Sequence, residues 1–166
     1  MKSGIIYLVG MPGCGKSYFG KKLSSELDCA LVDLDKVIEE KEGMEISEIF
    51  SSKGEDYFRK VENEVLKETT EECGFQIIST GGGTPCFHNG IDYMNQHGIT
   101  VFLETDRELL IERIARKSHR PLMQGDTEAR VDELLKARLP IYKKAQISIA
   151  HREVDLLLND IKSLRS

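Results

Sequence analysis

The chain has 166 residues, 40% of them hydrophobic and 31% charged, the size and make-up of a single globular domain that can bury its own core. Its 28 acidic residues outnumber 23 basic ones for a formal net charge of -5, which speaks against a nucleic-acid binder, since that class needs a basic stripe to displace counterions. No apolar run approaches the length of a membrane span.

The first apolar, β-branched run, Ile5 to Val9, predicts a buried strand, and it leads directly into Gly10-Met11-Pro12-Gly13-Cys14-Gly15-Lys16-Ser17 and a helical pattern from Lys16 to Leu27. That segment satisfies G-x-x-x-x-G-K-[ST] in its required setting of strand, glycine loop and helix. The loop amides, those of Gly13, Cys14 and Gly15 among them, and the positive end of the following helix form a cradle for phosphate. Lys16 is expected to reach the β- and γ-phosphates of ATP, and the Ser17 hydroxyl to ligate Mg²⁺.

A second strand, Ala30 to Val32, runs into Val32-Asp33-Leu34-Asp35. Alternation along an extended chain predicts both carboxylates on one face, at the sheet edge where phosphates bind. A helix N-cap role for Asp35, ahead of Lys36 to Glu40, is a compatible alternative. A helix from Glu55 to Glu72 follows, acidic in its first turn, with Glu62 three residues after Arg59 and so placed to orient it. An exposed ion pair is the simpler account of those two residues.

The third strand, Phe75 to Ser79, ends in Thr80-Gly81-Gly82-Gly83-Thr84-Pro85, where three consecutive glycines predict a close approach of backbone to a ligand. A strand at Thr100 to Leu103 and a helix at Arg107 to Ala115 precede a loop, Lys117 to Asp126, broken by Arg-Pro and Gly-Asp steps. Arg113, Arg116, Lys117, His119 and Arg120 concentrate positive charge there, as a lid closing over a γ-phosphate would need. A helix from Thr127 to Ala145 carries Arg138 in an otherwise apolar stretch, where a planar guanidinium suits a carboxylate. A last strand, Ile147 to Ala150, completes an alternation of strands and helices that implies a parallel sheet covered on both faces.

The P-loop, Asp33-Leu34-Asp35, Phe58-Arg59 with Glu62, Gly81-Gly82-Gly83, Arg120-Pro121-Leu122 and Arg138-Leu139-Pro140-Ile141-Tyr142 stand in the order and spacing of the shikimate kinase family, which the chain resembles over nearly its whole length. The resemblance implies a three-layer α/β/α fold with a five-stranded parallel sheet in the order 2-3-1-4-5 and a mobile lid. It also implies transfer of the γ-phosphate of ATP to shikimate, a step toward chorismate and the aromatic amino acids. By the same resemblance Asp33 supports Mg²⁺ through water, Asp35 hydrogen-bonds the reacting hydroxyl, and Arg59 and Arg138 clamp the carboxylate. Gly81, Gly82 and Gly83 line the ring, and Arg120 reaches ATP from the lid. Tyr18, where the family commonly has a small hydroxyl residue, and Arg152 are further candidates for nucleotide contact.

Two rival readings share the P-loop. A gluconate kinase-like enzyme would lack the paired carboxylate-binding arginines, and a non-catalytic ATP-binding module would be expected to lose Lys16, Ser17, Asp33, Asp35 or Arg120. Cys14, Cys29, Cys73 and Cys86 show no C-x-x-C pairing, so neither zinc nor a disulfide framework is expected. The N-terminus carries no signal pattern, and a cytoplasmic monomer working on two small molecules is expected.

Overall fold

The structure, a computed structural model, describes residues 4–72, 74–117, 124–150 and positions 153, 156, 157, 159 and 163; for 124–126 it describes the backbone only. The strands are β1 (Ile5–Val9), β2 (Ala30–Asp33), β3 (Gln76–Ser79), β4 (Ile99–Glu104) and β5 (Ile147–Ala150). They form one parallel sheet in the order β2-β3-β1-β4-β5, the order expected. β1 lies at its centre, with Leu8 opposite Ser79 of β3 and Val9 opposite Phe102 of β4. Every residue of β1 is buried, which accounts for an unbroken apolar run instead of an alternating one. The phenol of Tyr7 within it pairs with Thr70 Oγ1 at 2.8 Å, and burial pushes its pKa up to about 12.

The helices are α1 (Lys16–Leu27), α2 (Leu34–Glu42), α3 (Ile46–Lys53), α4 (Glu55–Glu71), α5 (Gly90–His97), α6 (Arg107–Lys117) and α7 (Gln124–Tyr142). α3 and α5 are short and escaped the sequence reading. Each has few buried side chains, Ile49 in the one and Ile91 and Met94 in the other, so neither shows a sustained apolar stripe. Both ends of the expected loop at 117–126 are helical, because α6 continues through Lys117 and α7 starts at Gln124; the residues between lie outside the described ones. α7 also stops at Tyr142, not Ala145, two residues past the internal Pro140. Among the described residues no helix is long and apolar enough to cross a membrane.

Candidate active site

The loop from β1 to α1 turns because Gly13 and Gly15 take positive φ, 80° and 95°, which a residue with a Cβ adopts only under strain. Lys16 then folds back over the loop, donating to the carbonyls of Gly10 at 2.8 Å and Met11 at 3.0 Å. Its ammonium is thus held at the mouth of the cradle, beside the N-terminus of α1. Cys14 departs from expectation. Its amide is taken by Met11 O at 3.1 Å, and its side chain is fully buried against the core. The α6 side chain Arg113 braces the same loop, donating to Gly13 O at 3.0 Å. The sequence placed Arg113 in a basic cluster without giving it this task, because a contact across 100 positions leaves no local pattern.

Asp33 and Asp35 come together by a route other than strand alternation. The strand ends at Asp33, which caps α2 by accepting the amides of Asp35 at 3.1 Å and Lys36 at 3.5 Å on Oδ1. The cap is therefore Asp33, not Asp35, and Asp35 lies in the first helical turn with Leu34 packed into the core between them. Burial first, then the negative charges of Asp33 and Glu62, raise the Asp35 pKa from 3.8 to about 6, with Lys16 pulling the other way. A carboxylate so perturbed in a cleft is suited to accept a proton near neutral pH.

The glycine run is explained by crowding. A methyl group at Gly81 would sit 3.0 Å from Asp35 Oδ1, one at Gly82 would sit 2.8 Å from both Arg138 Nη1 and Pro12 Cδ, and one at Gly83 would sit 2.6 Å from Arg59 Nη2. None of the three has positive φ, so close approach of side chains, not turn geometry, requires them.

Arg59 is not the exposed ion pair of the simpler account. It is 7% exposed and Glu62 only 2%, with Arg59 Nη1 to Glu62 Oε1 at 3.0 Å. Glu62 also accepts from Thr84 Oγ1 at 2.9 Å, and the guanidinium lies 4.1 Å over the ring of Phe87. Glu55 takes Nε and Nη2 at 3.4 Å each. Three of the five guanidinium N–H groups are thereby engaged; the two remaining belong to the nitrogens that crowd Gly83. Arg138 is near as well. Burial raises the Cys86 thiol pKa, and both Arg138 and Arg59 lie close enough to oppose it.

A cleft of about 850 Å³ unites much of this set, with Gly13, Gly15, Lys16, Ser17 and Tyr18 on one wall and Asp33, Asp35, Gly81 and Gly82 on another. Arg113, Ile114 and Lys117 of α6 close the far side. Tyr18 is 67% exposed there. Arg59, Gly83 and Arg138 do not line that cleft; they gather beside its Gly82 end, where a methyl group on Gly82 would meet Arg138 Nη1 and Pro12 of the phosphate loop alike. Arg120 and Arg152 lie outside the described residues, as do His119 and His151. Among the described residues no three acidic, cysteine or histidine side chains cluster as a self-contained metal site.

Residues 12–157 match the family model described as Shikimate kinase. A protein named shikimate kinase from Clostridium botulinum (strain Langeland) is 40% identical over 148 residues, covering 88% of this chain and 86% of that protein. The solved structure of shikimate kinase from Acinetobacter baumannii in complex with shikimate superposes with a TM-score of 0.86 at 36% identity, covering 96% of this chain and 93% of that one. A gluconokinase from Sinorhizobium meliloti, at 14% identity and a TM-score of 0.60 over 99% of this chain and 97% of that one, shares the fold alone.

Proposed function

The chain belongs to the shikimate kinase family, and from that premise we propose that it transfers the γ-phosphoryl group of ATP to the 3-hydroxyl of shikimate, giving ADP and shikimate 3-phosphate. The observation that carries this reading is the convergence on the glycine run of a phosphate loop through Pro12, a carboxylate of raised pKa, Asp35, and two guanidinium groups, Arg59 and Arg138. In phosphoryl transfer the protein mainly aligns the attacking oxygen and offsets developing charge. Lys16 and the loop amides hold the β- and γ-phosphates. Asp35 accepts the hydrogen bond of the 3-hydroxyl and then its proton, as the new O–P bond forms and the bond from the γ-phosphorus to the bridging oxygen of ADP breaks. Arg59 and Arg138 offer paired donors to the carboxylate of the ring.

Ser17 and Asp33 fit Mg²⁺, which favours oxygen ligands and takes few of them from protein. Both residues line the cleft, and the capping bonds of Asp33 use Oδ1 only. Mg²⁺ bound there would neutralise phosphate charge. Arg120 reaches the nucleotide from a lid at about 117–126, and Tyr18 and Arg152 contact it further out. The chain works as a cytoplasmic monomer with no nucleic-acid or membrane partner, a reading supported by its acidity and by the free thiols of Cys14 and Cys86.

The test is ADP release from MgATP with shikimate, gluconate or nucleoside monophosphates as acceptors. Shikimate alone should support turnover. Release with gluconate or a nucleotide, and none with shikimate, would overturn the assignment.

A further inference from the structure

The glycine run has an internal asymmetry. All three of its carbonyls are occupied within the protein: Gly81 O accepts from the Thr84 amide at 3.2 Å, Gly83 O from the Cys86 amide at 2.9 Å, and Gly82 O from the Tyr142 hydroxyl at 2.5 Å. The first two bonds are local and belong to the short 3₁₀ turn, Thr84–Cys86, that follows. The third spans 60 positions and comes from the end of α7.

In a trans peptide the N–H points opposite to the C=O. Fixing the carbonyls of Gly81 and Gly82 inward therefore fixes the amide hydrogens of Gly82 and Gly83 outward, and among the described residues neither amide donates to another group. Tyr142 is well placed to impose that orientation. It is fully buried, its ring stacks on Phe102 of β4 at 5.2 Å between centroids, and burial keeps its phenol protonated well beyond the neutral range. Arg138 stands one helical turn earlier on the same face of α7 and packs on the same glycine. Pro140, between them, removes one backbone bond from α7, and the Tyr142 hydroxyl ties the end of the helix to the turn.

We propose that Tyr142 is a positioning residue for the acceptor: its hydroxyl pins the Gly82 peptide, and so presents the Gly82 and Gly83 amides together with the Arg138 guanidinium in one arrangement that matches the acceptor's hydroxyl and carboxylate groups. The proposal rests on shikimate being that acceptor. Tyr142 touches neither ligand and acts through groups that do.

Tyr142→Phe keeps the ring and its stacking and removes the hydroxyl, and with it both the bond to Gly82 O and the interaction with Arg138. The KM for shikimate should rise roughly 5- to 20-fold, the span expected when a buried acceptor loses its partner, with the KM for MgATP unchanged within twofold. Tyr142→Leu, which removes the ring as well, should lower the Tm further without a matching further rise in the shikimate KM per folded molecule. If Tyr142→Phe leaves the shikimate KM at the wild-type value, or shifts both KM values alike, the positioning role is overturned. Absence of shikimate-dependent ADP release from the wild-type protein would instead overturn the functional assignment itself, so the two failures are told apart on the same assay.

Discussion

Asp35 shows how one residue can be tuned against the stability of its own fold. Its pKa is raised in the folded protein, from 3.8 to about 6, so the folded state binds the proton more tightly than the unfolded chain does. That contribution is complete below about pH 4 and is lost as the pH rises through about 6, leaving a penalty of about 1–3 kcal/mol at pH 8. Asp35→Asn should therefore raise the Tm at pH 8 and leave it nearly unchanged at pH 4, while kcat falls roughly 10²- to 10⁴-fold. Thermal melts at the two pH values check the first half, and turnover at saturating substrates checks the second. The two arginines should separate in a similar way. Arg138 is only half-buried, and Arg138→Ala should raise the KM for shikimate with a modest effect on Tm. Arg59→Ala leaves Glu62 buried without its partner and should cost about 3–5 kcal/mol of stability as well; urea unfolding alongside kinetics distinguishes the two. Cys14, inside the phosphate loop, is fully buried. In native protein it should resist alkylation with or without nucleotide, and Cys29 and Cys86, only half-buried, should react first; mass mapping of the modified thiols reports the order.

At the scale of elements, the turn after β3 is where the site is assembled. It meets α2 through Asp35, α4 through Arg59 and Glu62, and α7 through Arg138 and Tyr142, and its glycines are the spaces these side chains need. Gly83→Ala inserts a methyl group into the Arg59 guanidinium, whose position is fixed by two carboxylates and the Phe87 ring. The guanidinium cannot yield cheaply, and such overpacking typically costs about 1–3 kcal/mol. Gly83→Ala should accordingly lower the Tm and raise the shikimate KM together, as melting and initial-rate measurements on one preparation would show. The sequence had the glycine run and the arginines as separate motifs. That they occupy one volume follows only from the packing of α4 and α7 on the turn.

For the whole molecule, the sheet order places the phosphate loop at the end of the central strand, with the glycine turn of β3 beside it. Gly82 thus stands where two binding regions meet, against Pro12 of the phosphate loop and against Arg138. MgATP and shikimate should each raise the Tm when added alone, by an amount equivalent to about 2.7 kcal/mol at 100 times the Kd. Lys16→Ala should abolish the shift from MgATP and keep that from shikimate; loss of both shifts would mean that the regions are not separate. The sequence by itself determined the strand order's constituents, the phosphate loop and the residue types of the site, because those depend on local chemistry: an apolar run, a glycine that allows positive φ, a lysine after it. Only the tertiary structure decided that Asp33 caps α2 while Asp35 acquires its raised pKa, that Arg59 is buried, and that Arg113 and Tyr142 brace the two glycine loops. Those properties are set by desolvation and by contacts between residues tens of positions apart, and neither is written in the spacing of a chain.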